Sequence, residues 1–140
     1  MKALNWTAIG MGVAVCVAAW IVVVVIGTMM PAASSMTSQL WLNRSIGMGS
    51  RFAGGFMAGW MSGERGVEHG LWVGVVASVA TNLLSIGWMV TRSGTSVFGM
   101  LPGSYWLMLL GWAAVGIALA AAGGYLGATP HFRAGHAKGE

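Results

Sequence analysis

The sequence contains no aspartate, three glutamates, one cysteine and three prolines. Charged residues of both signs make up 7% of it, against roughly 25% in ordinary soluble domains. That supply is too small to cover the surface of a soluble fold, where charged side chains carry much of the exposure. The scarcity also removes whole classes of chemistry. No cluster of metal-ligating residues, no phosphate-binding loop and no nucleophile with a neighbouring base can be found, so an enzyme is not expected. Cys16 has no partner for an internal disulfide. Its setting, Val13-Ala14-Val15-Cys16, is a poor lipoprotein signal, and it reads as a small buried apolar residue. The net charge of +4 and pI near 10.0 suit attraction to anionic lipid headgroups. No basic stripe is long enough for nucleic acid.

What is abundant is hydrophobicity and glycine. Apolar residues reach 56%, and there are 23 glycines. A glycine weakens a soluble helix by about 1 kcal/mol, but in lipid it lets two helix backbones approach and gain dispersion contacts. The expected fold is an all-α integral membrane protein of a single domain. Four transmembrane helices are placed at about 7–29, 40–62, 70–90 and 104–128, with a basic tail at 129–140. Pro31, Pro102 and Pro130 punctuate the connections. The first span, with its core Ile21-Val22-Val23-Val24-Val25-Ile26, competes with a signal peptide. Its apolar run exceeds the usual h-region of about 7–15 residues, and it is read as a retained span.

The chain is organised around residues 53–78. Glycines recur at four-residue spacing as Gly55, Gly59 and Gly63, then as Gly66, Gly70 and Gly74, continued by Ser78 and Asn82. Folded about the intervening turn, Gly63 is expected to face Gly66, Gly59 to face Gly70, and Gly55 to face Gly74, a glycine-zipper hairpin. Contact along four-residue ridges persists when the helices cross right-handedly. A second small-residue ridge, Gly116, Ala120, Gly124 and Ala128, lies in span four. The segment Ala53-Gly54-Gly55-Phe56-Met57 is echoed by Ala122-Gly123-Gly124-Tyr125-Leu126, and residues 10–27 can be laid on 70–87. The echo suggests two glycine-zipper hairpins of one ancestry, a parallel internal repeat.

Span two carries Asn43, Arg44 and Arg51. An arginine at mid-helix costs about 2.5–3.5 kcal/mol on insertion scales. If the helix starts near Ser45, Arg51 can snorkel to the interface. If it starts at Leu40, Arg51 is central and needs an internal partner. The hairpin register puts it opposite Ser78 and within a turn of Asn82, so Arg51, Ser78 and Asn82 form the expected intramembrane polar group. In the turn, Glu64 and Glu68 flank Arg65, and the carboxylates suit a helix N-terminus. Glu68 and His69 as a proton or metal site is the sharper alternative, weakened because adjacent helical residues point apart. His69 is also the candidate ligand should a haem or chlorophyll bind. His131 and His136, five apart in the tail, do not share a helical face.

Basic residues near the spans favour both termini in the cytoplasm. Trp6, Trp60 and Trp72 fit one interfacial belt, and Trp41, Trp88 and Trp106 the other. Trp20 and Trp112 lie deeper, where a partner or a lipid-like ligand can meet them. The motif GGFMAGWMSGERGVEHGLWVG resembles the glycine-rich second and third spans of small four-span prokaryotic membrane-protein families of no agreed activity. The resemblance covers about half of the chain. It implies the four-helix architecture in a prokaryotic cytoplasmic membrane and adds no site.

Three functions follow as expectations. The first is a structural or accessory subunit that packs through its glycine ridges against copies of itself or other membrane proteins. The alternative is a small oligomeric channel or transporter with a polar path around Arg51 and Asn82. The third is a pigment- or haem-associated helper using His69.

Overall fold

The computed structural model describes residues 4–29, 36–63, 65–93 and 103–129. They form four helices: α1 Trp6–Met29, α2 Met36–Ser62, α3 Gly66–Ser93 and α4 Gly103–Ala128. The connector at 31–35, Glu64, Pro102, and the tail with His131 and His136 lie outside the described residues. Three helices are long and apolar enough to cross a bilayer: α1, the Gly66–Trp88 part of α3 and the Trp106–Ala128 part of α4. The membrane is therefore the natural setting of the chain.

Three helix boundaries lie clearly beyond the spans read from sequence. α2 begins at Met36 rather than near residue 40, α3 begins at Gly66 rather than 70, and α3 ends at Ser93 rather than 90. The charged segment after Gly66 is thus the first turn of α3, with Glu68 where the helix dipole favours an acid. Gly63 ends α2 in the left-handed region at φ 70°, its N–H returning to the Gly59 carbonyl at 3.1 Å. Arg65 follows at φ 55°. Its carbonyl accepts the N–H groups of Glu68 and His69, and its guanidinium pairs with the Glu68 carboxylate.

α2 and α3 form the middle of the bundle. α1 packs on one side of them and α4 on the other, so α1 and α4 have little to do with each other. The core has almost no bulk. Its buried apolar residues are Ala8, Ile9, Cys16, Ala58, Val73, Ala77 and Ala120, and Val73 is the largest fully buried side chain. The large residues, including Ile21, Val22, Val79, Leu83, Leu107 and Leu110, point outward. Small residues within and large ones outside is the pattern expected when lipid is the solvent, because burying a leucine gains nothing over leaving it in hydrocarbon.

The glycine faces turn differently from the expectation. The hairpin register of α2 and α3 holds at Arg51 and Ser78, which are hydrogen-bonded, but the glycines look at α4. A Cβ placed on Gly55 would collide with the Ala120 carbonyl, and one on Gly59 with the Gly124 carbonyl. From α3, Gly70 meets the same Ala120, Gly66 meets Gly124 and Ala128, and Gly74 meets Ile117. The Ala120 and Gly124 ridge of α4 therefore lies in the groove between α2 and α3, parallel to α2 and antiparallel to α3. The expected pairs Gly55–Gly74 and Gly59–Gly70 are replaced by contacts through α4. A groove flanked by two glycine rows accepts a third backbone, and so gains more dispersion contact than a two-helix seam. The adjacent glycines divide the work. Gly54 meets Gly12 of α1, and Gly123 meets the Phe52 carbonyl of α2.

Candidate functional site

The two ends of the bundle are built differently. At the end holding the α2–α3 turn, the helices touch through backbone. There Asn5 caps α1, its Oδ1 accepting from the Ala8 N–H at 3.2 Å. In a capping box the third residue of the helix would return an acceptor to the cap's own N–H, but that position is alanine. His69 supplies it from α3: its Nε2 accepts from the Asn5 N–H at 3.0 Å. Its Nδ1 lies 3.0 Å from the Arg65 carbonyl, which fixes the proton on Nδ1. His69 is 3% exposed and uses both ring nitrogens, so it staples α1 to α3. A haem or chlorophyll would have to displace one of those bonds, and the geometry speaks against His69 as a pigment ligand. Trp6 and Trp72 close this end with ring centroids 6.1 Å apart.

The other end opens. Since α2 starts at Met36, Arg51 lies near mid-helix, about 16 Å from the last residue at 1.5 Å per residue. It turns into the bundle. Its Nη1 donates to Ser78 Oγ, and its Nη2 donates to Thr81 Oγ1 at 3.1 Å. Both hydroxyls pass their own protons back along α3, Ser78 to the Gly74 carbonyl and Thr81 to the Ala77 carbonyl, each at 2.7 Å. Space for the guanidinium comes from α4, where a Cβ on Gly116 would stand 2.6 Å from Nη1. The ridge that carries backbone contact at Ala120 and Gly124 therefore carries an arginine at its next step.

Two cavities flank Arg51. One, of about 370 Å³, lies between α1, α2 and α3, and has a polar wall of Asn43, Ser50, Thr81, Asn82 and Ser85. The second, of about 170 Å³, lies between α2, α3 and α4, and is walled by Met48, Met108, Leu109, Trp112 and Ala113. Arg44, Gly47, Arg51 and Asn82 border both. Gly47 is open, since a Cβ there would meet nothing within 4 Å. Asn82, an expected partner of Arg51, lines the cavities, and its amide has no side-chain partner among the described residues. Arg44 lies over the Trp112 ring, 4.6 Å from its centroid. The deep tryptophans are thus engaged within the chain, Trp112 by Arg44 and Trp20 through an indole hydrogen bond to Ser85 Oγ at 3.0 Å. Cys16 closes the floor of the larger cavity, buried, with its thiol directed at the Ser50 carbonyl.

Neither Arg44 nor Arg51 pairs with a carboxylate among the described residues; the ion pair there joins Arg65 to Glu68. No buried side-chain nitrogen or oxygen lacks a partner among those residues. The guanidinium donors that Ser78 and Thr81 leave over therefore open onto the cavities. The site is cationic, rich in donors and closed below by backbone packing. No group of histidine, cysteine and acidic residues among the described residues can hold a metal, and Glu68 and His69 are each committed elsewhere. Sequence reasoning grouped Arg51, Ser78 and Asn82 and set Gly47 on the four-residue ridge of Arg51, but gave no site role to Arg44, Gly47 or Thr81. Their signal was helical spacing. Positions 44, 47 and 51 share one face of α2, and 78, 81, 82 and 85 share one face of α3. No protein-family model, curated protein or solved structure matches the chain, and the site is to be read from its own chemistry.

Proposed function

We propose that the protein is a small membrane transporter-type bundle that takes an anionic group into the cleft at Arg51. The observation that carries this reading is Arg51 itself: a cation at mid-helix, held by two neutral hydroxyls, with Asn82 and Arg44 facing the same space. Intramembrane ionisable groups are rare and mark ligand paths more often than structure. An anion beside Arg51 supplies the charge that no side chain among the described residues provides. In this reading α2 crosses the bilayer as a fourth span, its arginines sheltered by neighbours. With both termini cytoplasmic, the cleft opens away from the cytoplasm.

A continuous pore through one chain has less support. Below Arg51 the helices meet at Gly12 and Gly54, Gly55 and Ala120, and Gly59 and Gly124, at distances that leave no room for a methyl group. The cleft is blind, as in a carrier held open to one side. An accessory role through glycine faces also loses its specific support, because Gly55, Gly59, Gly66, Gly70, Gly74 and Gly124 are spent on contacts within the chain.

The test is anion binding by purified protein in detergent, read as quenching of tryptophan fluorescence by iodide and by caesium. Trp20 and Trp112 line the cavities. Iodide should quench a saturable fraction that caesium does not, and Arg51→Gln should remove that fraction. Equal quenching by both ions, or saturable iodide quenching retained in Arg51→Gln, would count against the proposal.

A further inference from the structure

The walls of the two cavities say more about the ligand than its charge. The larger cavity has hydroxyl and amide groups at Asn43, Thr81, Asn82 and Ser85. The smaller one has thioether, indole and aliphatic walls at Met48, Met108, Leu109 and Trp112. They meet at Arg44, Gly47, Arg51 and Asn82. A site with cationic donors at its centre, a polar chamber on one side and an apolar chamber on the other matches a molecule with a charged head and an apolar tail.

The apolar chamber also has the right access. Met108 is 45% exposed and Trp112 37% exposed, so its wall is continuous with the outward surface of α4 that carries Leu107 and Leu110. Its volume of about 170 Å³ is comparable to an engineered apolar cavity of about 150 Å³ that takes benzene. It can therefore hold part of an acyl chain, with the rest lying in the seam between α2 and α4. Arg44 is seven residues nearer the α2 start than Arg51, or about 10 Å along the axis. The head thus meets one guanidinium at the rim and a second at the bottom. Arg44 already lies on an aromatic face, reaches the Met108 sulfur, and has no acidic partner among the described residues, which leaves guanidinium donors for a phosphate.

We infer that the cleft binds an anionic amphiphile, a lipid-like molecule with a phosphate-class head, which enters sideways from the bilayer between α2 and α4. The inference rests on the anion-site reading above and narrows it to one source, the membrane.

The experiment uses the whole protein in phosphatidylcholine vesicles that contain a minor fraction of lipid with brominated acyl chains, which quench tryptophan on contact. The Trp112 signal is taken as the difference between wild type and Trp112→Phe, the phenyl ring preserving a face for Arg44. Brominated phosphatidylglycerol should quench that signal several-fold more than brominated phosphatidylcholine. The excess should disappear in Gly47→Leu, whose side chain enters open space, and should fall in Arg44→Gln. Circular dichroism and a single gel-filtration peak show that each variant is folded. Inorganic phosphate at millimolar concentration should leave the excess in place. Equal quenching by the two lipids overturns the amphiphile proposal while leaving saturable iodide binding intact. If phosphate abolishes the excess, a free anion is the occupant and the proposal again falls. Loss of both the lipid preference and iodide binding removes the anion site as well.

Discussion

The bundle is two structures joined at Arg51. Towards the α2–α3 turn, α4 lies against two glycine rows and the contacts are backbone to backbone. Towards the α2 start, the same helices separate around two arginines and two cavities. The change occurs within single ridges: Gly59 and Gly55 give way to Arg51 on α2, and Gly124 and Ala120 give way to Gly116 on α4. Helices that touch at one end and diverge at the other make a clamp, with a tight end that sets the position of the polar residues at the open end. A half-buried arginine with no counter-charge among the described residues is tolerable because the tight end supplies the stability that the open end lacks.

The largest effect is expected where the clamp is tightest. A Cβ on Gly124 would meet the backbone of Gly66 and Gly70, so Gly124→Leu forces α4 off α3 through backbone atoms that have no rotamer to escape into. The Gly124 carbonyl, which lies against Gly59 of α2, moves with it. Overpacking usually costs about 1–3 kcal/mol, and more where backbone must move. Thermal unfolding in detergent should show loss of the folded species or a large drop in Tm. An unchanged Tm would mean that the helices are not in contact there.

Arg51→Leu breaks the comparison from the other side. Removing the guanidinium orphans nothing, since Ser78 and Thr81 keep their bonds to the Gly74 and Ala77 carbonyls. Arg51 is half-buried and has no carboxylate partner among the described residues, so an apolar residue in its place removes a desolvation cost without stranding an opposite charge. Tm should hold or rise while saturable iodide quenching disappears. Arg51 then stands as a group kept for function at the expense of stability. A marked loss of Tm would instead make it a structural strut.

Much of this was legible in the sequence, and what was missed has a physical reason. Low charge and long apolar runs announce membrane helices because lipid demands both. The four-residue glycine rows announce close backbones, and the hairpin register puts Arg51 opposite Ser78, where the structure has it. A row of glycines does not say which helix fills it, however. Gly55 and Gly70 both meet Ala120, and that choice depends on α4, which is distant in sequence. His69 was legible as polar at a boundary, but its role as trans-capping acceptor depends on Asn5, again far along the chain. The cavities belong to the space between helices and have no local signature beyond a glycine, Gly47, with nothing against it.

The staple at the tight end gives a smaller test. His69→Ala removes the acceptor for the Asn5 N–H and leaves a small void where the buried ring stood. Losing a cap partner costs about 0.5–2 kcal/mol. Tm should fall by an amount that His69→Gln partly restores, since a glutamine oxygen can accept the same bond, and hydrogen exchange should quicken in the first turn of α1. Exchange unchanged in that turn would show that Asn5 needs no help from α3.

The smallest effect is expected from Gly47→Leu. It is the same kind of change as Gly124→Leu, placed one clamp-length away, and its outcome should be opposite. No atom lies within 4 Å of a Cβ at residue 47, so the new side chain extends into the space between the cavities. Leucine in place of glycine in a helix interior gains up to about 1 kcal/mol in propensity. Tm should therefore be unchanged or slightly higher while access to Arg51 is blocked, seen as lost iodide quenching with full helical content. The pair Gly124→Leu and Gly47→Leu then separates packing from site by a single substitution type. If Gly47→Leu destabilised the protein as Gly124→Leu does, the open end would be closed in solution, and α2 and α4 would meet along their whole length.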